Sequence, residues 1–549
     1  MEIRTLKKME KKALKSSRLD FLKIGLAILF MALVLIYSFA TTGNVPNNIF
    51  LAIAALFGAY MAMNIGANDV ANNVGPAVGS KALTMGGAIM IAVIFEASGA
   101  LIAGGDVVKT IKKGIIDIAA FGGNSDIFIW AMMAALLAAA IWLNLATAFK
   151  APVSTTHSIV GGVMGAGIAA AGFSIVDWGT MGKIVASWII SPLLGGIIAA
   201  GFLYAIKKSI IFKEDKITAA KTWVPIFVSI MSWAFITYLT LKGLKKVWPH
   251  IVSFVNDMMF FSLPITKKPT FLTALLLGLI VAIIVYFFVK SRVKTSSLKM
   301  KNDKQSVNVL FTIPLIFAAA LLSFAHGAND VANAIGPLAA INDAVINGGI
   351  SSKAQIPLWV MGVGAIGIAV GLALYGPKLI KTVGNEITEL DQMRAFSIAM
   401  AASITVIIAS QLGLPVSSTH IAIGGVFGVG FLREWIDRGN RASHIIDQKQ
   451  EHLEDEEKML KAYHTELNTL DEKPKKSKSQ YQRIVELYKL IDDEEIKIKE
   501  AKKVIKNVEK TEYVKRDAVK KIIAAWIITV PAAGVLAALI FFVMRGMLV

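Results

Sequence analysis

Two stretches of the chain place the same polar residues inside apolar sequence. Residues 63–79 read MNIGANDVANNVGPAVG, and residues 324–340 read FAHGANDVANAIGPLAA. On a helix, Asp69 would share one face with Asn68 and Asn72, which puts a carboxylate beside two amides. Their oxygens suit a hard cation such as Na⁺, and the amide N–H groups can donate to an oxyanion. An alternative, a polar cluster that only packs helices, fits one copy better than two. The candidate ligands of this kind are Asn68, Asp69, Asn72, Asn329, Asp330 and Asn333.

A Ser/Thr-rich motif follows each of these stretches. Residues 152–162 read PVSTTHSIVGG, and residues 415–425 read PVSSTHIAIGG. Proline disfavours helix in the residue before it, and Ser and Thr are good N-caps, so each motif predicts a half-helix that begins inside the membrane. A helix start offers free N–H groups and a positive dipole end, which bind anions. The paired glycines predict close packing of that half-helix. The alternative is a continuous helix whose hydroxyls bond its own backbone. The hydroxyl candidates are Ser154, Thr155, Thr156, Ser417, Ser418 and Thr419.

Three further titratable residues lie in apolar sequence. Glu96 has Ile368 as its approximate counterpart, so it breaks the symmetry of the two copies. An acid at membrane depth is a functional candidate, and both a coupling and a structural role stay open for it. His157 and His420 end the Ser/Thr runs and can titrate near neutral pH, which makes them further candidates for coupling. A simple capping role for these histidines is the alternative.

Apolar runs near 20 residues long recur through the 549 residues, of which 55% are hydrophobic and 17% charged. About 20 apolar residues span a bilayer as a helix, and only helices or closed barrels satisfy the backbone there. The sequence therefore predicts an all-α polytopic membrane protein with about ten to twelve spans.

The net charge of +19 lies mostly in short basic segments beside apolar spans, at 7–23, 207–221, 290–304 and 515–521. Lys and Arg in this position mark cytoplasmic loops and face anionic lipid headgroups. The pattern places the N-terminus in the cytoplasm and argues against a nucleic-acid partner. The absence of cysteine excludes disulfides and thiol chemistry.

The paired motifs indicate a duplication. The spacing between copies is 261 residues from Asn68 to Asn329 and 263 from Ser154 to Ser417. Two further spans, near 223–238 and 271–289, separate the copies. With the N-terminus and the basic linker after 290 both cytoplasmic, the first copy starts outside and the second starts inside, so the copies have opposite orientations. Inverted repeats with broken helices or re-entrant hairpins around a midplane site are typical of secondary transporters. The predicted organisation is an N-terminal segment with an extra span (1–47), a first repeat (48–205), connecting spans and a basic linker (206–307), a second repeat (308–437), an insertion (438–517) and a final span (518–549).

The insertion is strongly charged and has no counterpart in the first repeat. Apolar residues recur every seventh position on both sides of a turn at Pro474, which predicts a soluble antiparallel coiled-coil hairpin on the cytoplasmic side. A spacer and a regulatory or partner-binding arm are both open. The heptad residues are Ile446, Leu453, Leu460, Leu467, Ile484, Ile491, Ile498 and Ile505.

The polar set favours phosphate as the substrate. Phosphate near pH 7 carries one or two protons that a carboxylate can accept, whereas sulfate carries none. The sequence has no Walker A motif and no hydrolase signature, so we expect a transporter that is not an enzyme. A sulfate/H⁺ symporter, and a membrane scaffold or receptor that signals through the hairpin, are the alternatives.

The sequences GANDVANNVGP, GANDVANAIGP, PVSTTH and PVSSTH resemble the duplicated signature of the inorganic phosphate transporter (PiT) family. The resemblance implies an inverted-repeat symporter of the inner or plasma membrane that moves phosphate with Na⁺ or H⁺, without a cofactor and often as a homodimer. Some bacterial members resemble metal-phosphate or sulfate carriers. By this resemblance the Asn and Asp residues above, together with the six hydroxyl residues, are the ligands of phosphate and cation, with Na⁺ favoured and placed at the Asn and Asp residues.

The chain also departs from the family pattern. Glu96 matches an acidic position of the first repeat, but the eukaryotic branch carries a second Glu where this chain has Ala399 after Arg394, Ala395 and Phe396. The extra N-terminal span and the hairpin lie outside the basic pattern too.

Overall fold

The computed structural model describes residues 3–43, 45–46, 48–149, 153–245, 247–258, 266–347, 356–386, 390–437, 443–473, 477–509 and 516–548. Within these residues the secondary structure is helical, apart from one isolated bridge between Ile116 and Val176. Eleven helical segments are long and apolar enough to cross a membrane. The expectation of an all-α polytopic membrane protein with ten to twelve spans is confirmed.

The helices follow one another along the chain with short connections. Their bounds are α1 (Ile3–Thr41), α2 (Asn48–Asn68), α3 (Val70–Gly79), α4 (Met85–Ala103), α5 (Gly105–Lys113), α6 (Ser125–Ala148), α7 (Thr155–Ala171), α8 (Trp178–Ile206), α9 (Lys216–Lys242), α10 (Trp248–Met258), α11 (Phe271–Ser296), α12 (Lys304–Leu310), α13 (Thr312–Ile346), α14 (Leu358–Glu386), α15 (Gln392–Gln411), α16 (Ser418–Asp437), α17 (Ser443–Asp471), α18 (Lys478–Glu509) and α19 (Arg516–Leu548).

The two Asn/Asp motifs differ in their backbone. Helix α2 ends just before Asp69 and α3 begins just after it, so the first motif contains a one-residue interruption of the helix. Asp69 itself stays close to helical geometry (φ −83°, ψ −35°). Asp330 instead lies inside α13, which continues for 35 residues. The repeats thus share a sequence motif but not an identical backbone.

Glycines allow corresponding helices of the two repeats to touch. A Cβ on Gly66 would lie 1.9 Å from the carbonyl oxygen of Ile368, and one on Gly327 would lie 2.2 Å from that of Glu96. Both distances are far shorter than a carbon and an oxygen tolerate, so any side chain here would push the helices apart. The matching contacts place Glu96 and Ile368 at equivalent positions, as the sequence predicts.

The half-helices pack on the last helix of the other repeat. On α7, a Cβ at Gly165 would meet the backbone oxygen of Gly534 in α19 at 2.1 Å. On α16, a Cβ at Gly428 would meet that of Gly196 in α8 at the same distance. Small residues at such crossings are the usual means of close helix packing in membranes. The two repeats are therefore interlocked rather than merely adjacent.

The charged insertion forms most of a separate compact unit, Gly430–Lys515. Its core contains Leu467, Ile484 and Ile491 from the predicted heptads, together with Leu487. Ion pairs between Glu466 and Arg483 (2.9 Å) and between Glu457 and Lys502 (2.8 Å) show that α17 and α18 run antiparallel.

Several predicted features of the insertion fall outside the described part of the chain. The turn at Pro474 and the side chains of Ile446 and Ile505 are among them. The coiled-coil geometry and the cytoplasmic position of the hairpin remain predictions.

The glycine crossing between α7 and α19 can be tested with matched substitutions. We expect Gly165→Val to destabilise the protein by at least the roughly 1–3 kcal/mol of an overpacked core, because the new side chain meets backbone. Gly201→Val is the control: it places the same residue in a membrane helix, where nothing lies within 4 Å. Thermal unfolding in lipid nanodiscs measures both, and equal melting temperatures for the two variants would contradict the interlocked packing.

Candidate phosphate and cation site

Both Ser/Thr motifs start new helices at buried positions. Ser154 caps α7 by accepting a hydrogen bond from the backbone N–H of His157 at 3.1 Å. Ser417 accepts the equivalent bond from His420 at 3.3 Å. The side-chain oxygens of these two predicted ligands therefore act as helix caps. Pro152 lies outside the described residues. The expectation of broken helices is confirmed, and the remaining hydroxyls are free to face neighbouring helices.

Asp69 joins the two repeats. Its Oδ2 accepts a hydrogen bond from Thr155 at 2.6 Å, and its Oδ1 accepts one from Thr419 at 3.0 Å. Asn72 donates from Nδ2 to Thr419 at 2.8 Å. All four side chains are buried. One carboxylate thus binds hydroxyls from the half-helices of both repeats.

Asp330 is satisfied only in part. Ser418 donates to its Oδ2 at 3.1 Å, whereas its buried Oδ1 has no hydrogen-bond partner. Nearby, Asn333 donates from Nδ2 to Thr155 and to Thr156, both at 3.1 Å. The second motif therefore contacts the hydroxyls of the first repeat, as the first motif contacts those of the second.

Three of the predicted amide ligands have a buried oxygen without a hydrogen-bond partner. Asn68 donates to Thr147 at 2.8 Å and Asn329 donates to Ser410 at 3.0 Å, which fixes each amide through its nitrogen. The Oδ1 atoms of Asn68, Asn329 and Asn333 are buried without a hydrogen-bond partner. Leaving a buried acceptor unpaired costs about 1–3 kcal/mol. These oxygens and Oδ1 of Asp330 are each able to accept a contact from a bound cation or from a donor group of a ligand.

His326 was missed by the sequence reasoning. Its Nδ1 lies 2.6 Å from Oε2 of Glu96, and its Nε2 lies 3.0 Å from Oδ2 of Asp330. Asn73 donates to the other Glu96 oxygen at 2.8 Å. Ligand atoms of Asp69, His326 and Asp330 all lie within 4.8 Å of one another, close enough to share one ion. Glu96 is thus linked to the site through an imidazole.

The Glu96–His326 pair takes one residue from each repeat, and it has an apolar counterpart at the equivalent crossing. Aligning the two Asn/Asp motifs places Ile65 opposite His326, as Ile368 stands opposite Glu96. Both isoleucines are fully buried. The sequence did contain a signal for His326. At two pairs of equivalent positions, one repeat has a titratable residue where the other has isoleucine.

His157 and His420 contact each other rather than the carboxylates. Their ring centroids lie 4.5 Å apart. His157 packs on Trp188 at 3.8 Å and His420 stacks on Trp526 at 3.6 Å. Sequence reasoning overlooked both tryptophans, although ASWII at 186–190 and AAWII at 524–528 repeat the same pattern. The predicted coupling role of the histidines stays a prediction.

The non-helical segment 413–416 leads into α16, and its four carbonyl oxygens are all hydrogen-bonded. Backbone groups inside a membrane need such internal partners because water is absent. The donors come from four different helices. They are Thr110 to Gly413 (2.7 Å), Asn329 to Leu414 (3.3 Å), Trp188 to Pro415 (3.1 Å) and Thr156 to Val416 (2.9 Å).

A buried polar site between two interlocked repeats of membrane helices defines a multi-span membrane transporter. The chain belongs to the phosphate transporter family, whose sequence profile matches residues 65–537. This confirms the resemblance drawn from the paired motifs, and with it the expectation that the protein is not an enzyme.

Individual relatives support the same assignment. The chain is 49% identical to a putative phosphate permease of Helicobacter pylori (strain J99) over 98% of each sequence. It is 41% identical to a putative phosphate permease of Thermococcus kodakarensis over 70% of this chain and 89% of the relative. A solved structure described as "The sodium-dependent phosphate transporter" is 30% identical, with a TM-score of 0.69 over 91% of this chain and 100% of that one.

Energetic coupling between Glu96 and His326 can be tested by a double-mutant cycle. We expect Glu96→Ile and His326→Ile each to lower stability, because each removes one of the two polar partners of a buried group. The double variant recreates the Ile65–Ile368 arrangement and should lose about 1–3 kcal/mol less than the sum of the single variants. Thermal unfolding in nanodiscs measures the cycle, and additive effects would mean that the two groups do not depend on each other.

Proposed function

We propose that this protein moves inorganic phosphate across the inner or plasma membrane together with a cation, Na⁺ in preference to H⁺, by alternating access around the buried site. The single observation that carries the proposal is the convergence of hydroxyls from both half-helices on Asp69. A site assembled equally from two inverted repeats can exchange its exposure between the two membrane faces.

The half-helices supply the anion-binding part of the proposal. Helix α7 starts at Thr155 and α16 at Ser418, so two positive dipole ends and several hydroxyls meet in the protein interior. Protonated phosphate can donate to the carboxylates of Asp69 and Asp330. Sulfate, which carries no proton near pH 7, would face two carboxylates without such a bond. This difference favours phosphate.

The unpaired acceptors supply the cation part. Oδ1 atoms of Asn68, Asn329, Asn333 and Asp330 are hard oxygen ligands held in place by the other atoms of the same side chains. A proton would satisfy only one of them, whereas Na⁺ can be bound by several at once. The 30% identical protein of known structure is described as sodium-dependent, which agrees with this preference.

The proposal also covers the orientation of the chain in the membrane, its oligomeric state and the role of the insertion. Basic segments next to the spans favour a cytoplasmic position for the N-terminus and the insertion, next to anionic lipid headgroups. We infer a homodimer from the family resemblance. We also infer that the charged insertion (438–517), most of which lies in a separate compact unit, is an accessory arm outside the machinery of transport.

Uptake into proteoliposomes tests the proposal directly. Radiolabelled phosphate is offered to vesicles with an imposed Na⁺ gradient, a proton gradient or neither. We expect accumulation that follows the Na⁺ gradient. Accumulation with the proton gradient alone would retain phosphate but reject Na⁺, and uptake of labelled sulfate in place of phosphate would reject the substrate.

Charge removal at the two aspartates gives a residue-level prediction. We expect Asp69→Asn and Asp330→Asn to reduce uptake at least about 100-fold, because each removes a buried carboxylate that binds a hydroxyl of a half-helix. Initial rates are compared at matched protein content, after size-exclusion chromatography confirms folding. A scaffold or receptor function would survive both changes.

Asp177→Asn is the matched control for that experiment. Asp177 caps α8 at the surface by accepting from the N–H of Thr180 at 2.9 Å, and asparagine caps helices equally well. Its uptake should equal that of the unaltered protein. Unaltered uptake in either site variant would reject the proposed site.

A further inference from the structure

The short helix α5 reaches the site through Thr110. The hydroxyl of Thr110 donates to the carbonyl oxygen of Gly413 at 2.7 Å. Thr110 was not among the predicted site residues, and it contacts neither a carboxylate nor a half-helix hydroxyl. Among the described residues, the hydrogen-bond partner of this hydroxyl is Gly413, the first residue of the non-helical segment 413–416. Its effect on the site therefore runs through that segment.

Gly413 is a turning point of the backbone. It adopts a left-handed conformation (φ +68°) just after α15, where a residue with a side chain would be strained. The next residue, Leu414, accepts a hydrogen bond from Nδ2 of Asn329 at 3.3 Å. The position of the segment thus helps to orient the Asn329 amide, whose Oδ1 is one of the unpaired acceptors of the candidate cation site.

Helix α5, which carries Thr110, is held in place by buried side chains and by an ion pair. Val107, Val108 and Ile111 are almost completely buried. Asp106 forms an ion pair with Lys242 at the end of α9. Since α5 is held by both an apolar face and an ion pair, its hydroxyl is a fixed point against which segment 413–416 is aligned.

We propose that Thr110 is a positioning residue for cation binding: by holding Gly413 it fixes segment 413–416 and, through Leu414, the orientation of the cation ligand Asn329. This inference rests on the proposed function in one respect, the role of Asn329 as a cation ligand. The link runs from a surface helix to a buried amide in three steps, all of them hydrogen bonds or adjacent residues.

The test compares Thr110→Val with Thr110→Ser. Valine keeps the shape of threonine but cannot donate, whereas serine keeps the donor. We expect Val to raise the Na⁺ concentration for half-maximal phosphate uptake about threefold to tenfold, equivalent to the net contribution of one hydrogen bond. The maximal rate at saturating Na⁺ should change less than twofold, and Ser should restore the original Na⁺ dependence. A purely structural role would lower the maximal rate without this shift.

Thr180→Val is the matched control. The Thr180 hydroxyl also donates at a partly exposed position, to Asp177 at 2.9 Å, but it has no connection to segment 413–416. It should leave the Na⁺ dependence unchanged. An unshifted Na⁺ dependence in Thr110→Val, or an equal shift in Thr180→Val, would overturn the inference.

A second readout does not depend on the coupling ion. The chain has no cysteine, so Leu412→Cys at an exposed position next to Gly413 provides a single labelling site. We expect Thr110→Val to increase the mobility of a nitroxide spin label attached at this cysteine, seen as narrower electron paramagnetic resonance lines in nanodiscs, because the released segment moves more freely. If the unaltered protein shows no Na⁺-dependent uptake, the proposed coupling fails while this readout still judges Thr110. An unchanged spectrum would reject its positioning role.

Discussion

The structure depends on one constraint: polar groups inside a membrane must find their partners within the protein. Asp69 meets it with hydroxyls from both repeats. Segment 413–416 meets it with donors from four helices. In both places at least one of the bonds crosses between the two repeats, so neither repeat satisfies all of its buried polar groups alone. The polar site is thereby also the junction that holds the repeats in register.

Close packing of the same two repeats permits a chemical difference between them. Gly66 and Gly327 make equivalent backbone contacts at two crossings between the repeats, yet Ile65 and Ile368 are buried at one crossing where His326 and Glu96 are buried at the other. Asp69 consequently has both oxygens bonded to hydroxyls, while Asp330 shares one oxygen with an imidazole and keeps the other unpaired. The duplication therefore accounts for the shared helix packing. Different residues at equivalent positions account for the different hydrogen bonding of Asp69 and Asp330.

Much of this was accessible from the sequence because membrane helices obey strong local rules. The length of the apolar runs predicted the membrane spans, and proline followed by Ser and Thr predicted where the half-helices start. Comparison of the two repeats identified the paired Asn/Asp motifs. Contacts between distant helices were not accessible. Trp188 and Thr110 bond to carbonyls of residues more than 200 positions away, and such a partner leaves no mark on the local pattern. His326 was overlooked because comparison of the repeats sought identity, whereas its role appears in a difference.

The interlocked packing also bears on how the protein is made. Gly165 in α7 is complementary to Gly534 in α19, which the ribosome adds more than 350 residues later. At roughly 5–20 residues per second, that interval lasts tens of seconds. During this time the first half-helix, with its polar N-terminus, must reside in the membrane without its final neighbour. Completion of the last span is therefore the event that closes the fold, and a nascent chain stalled in the hairpin would hold a half-built site.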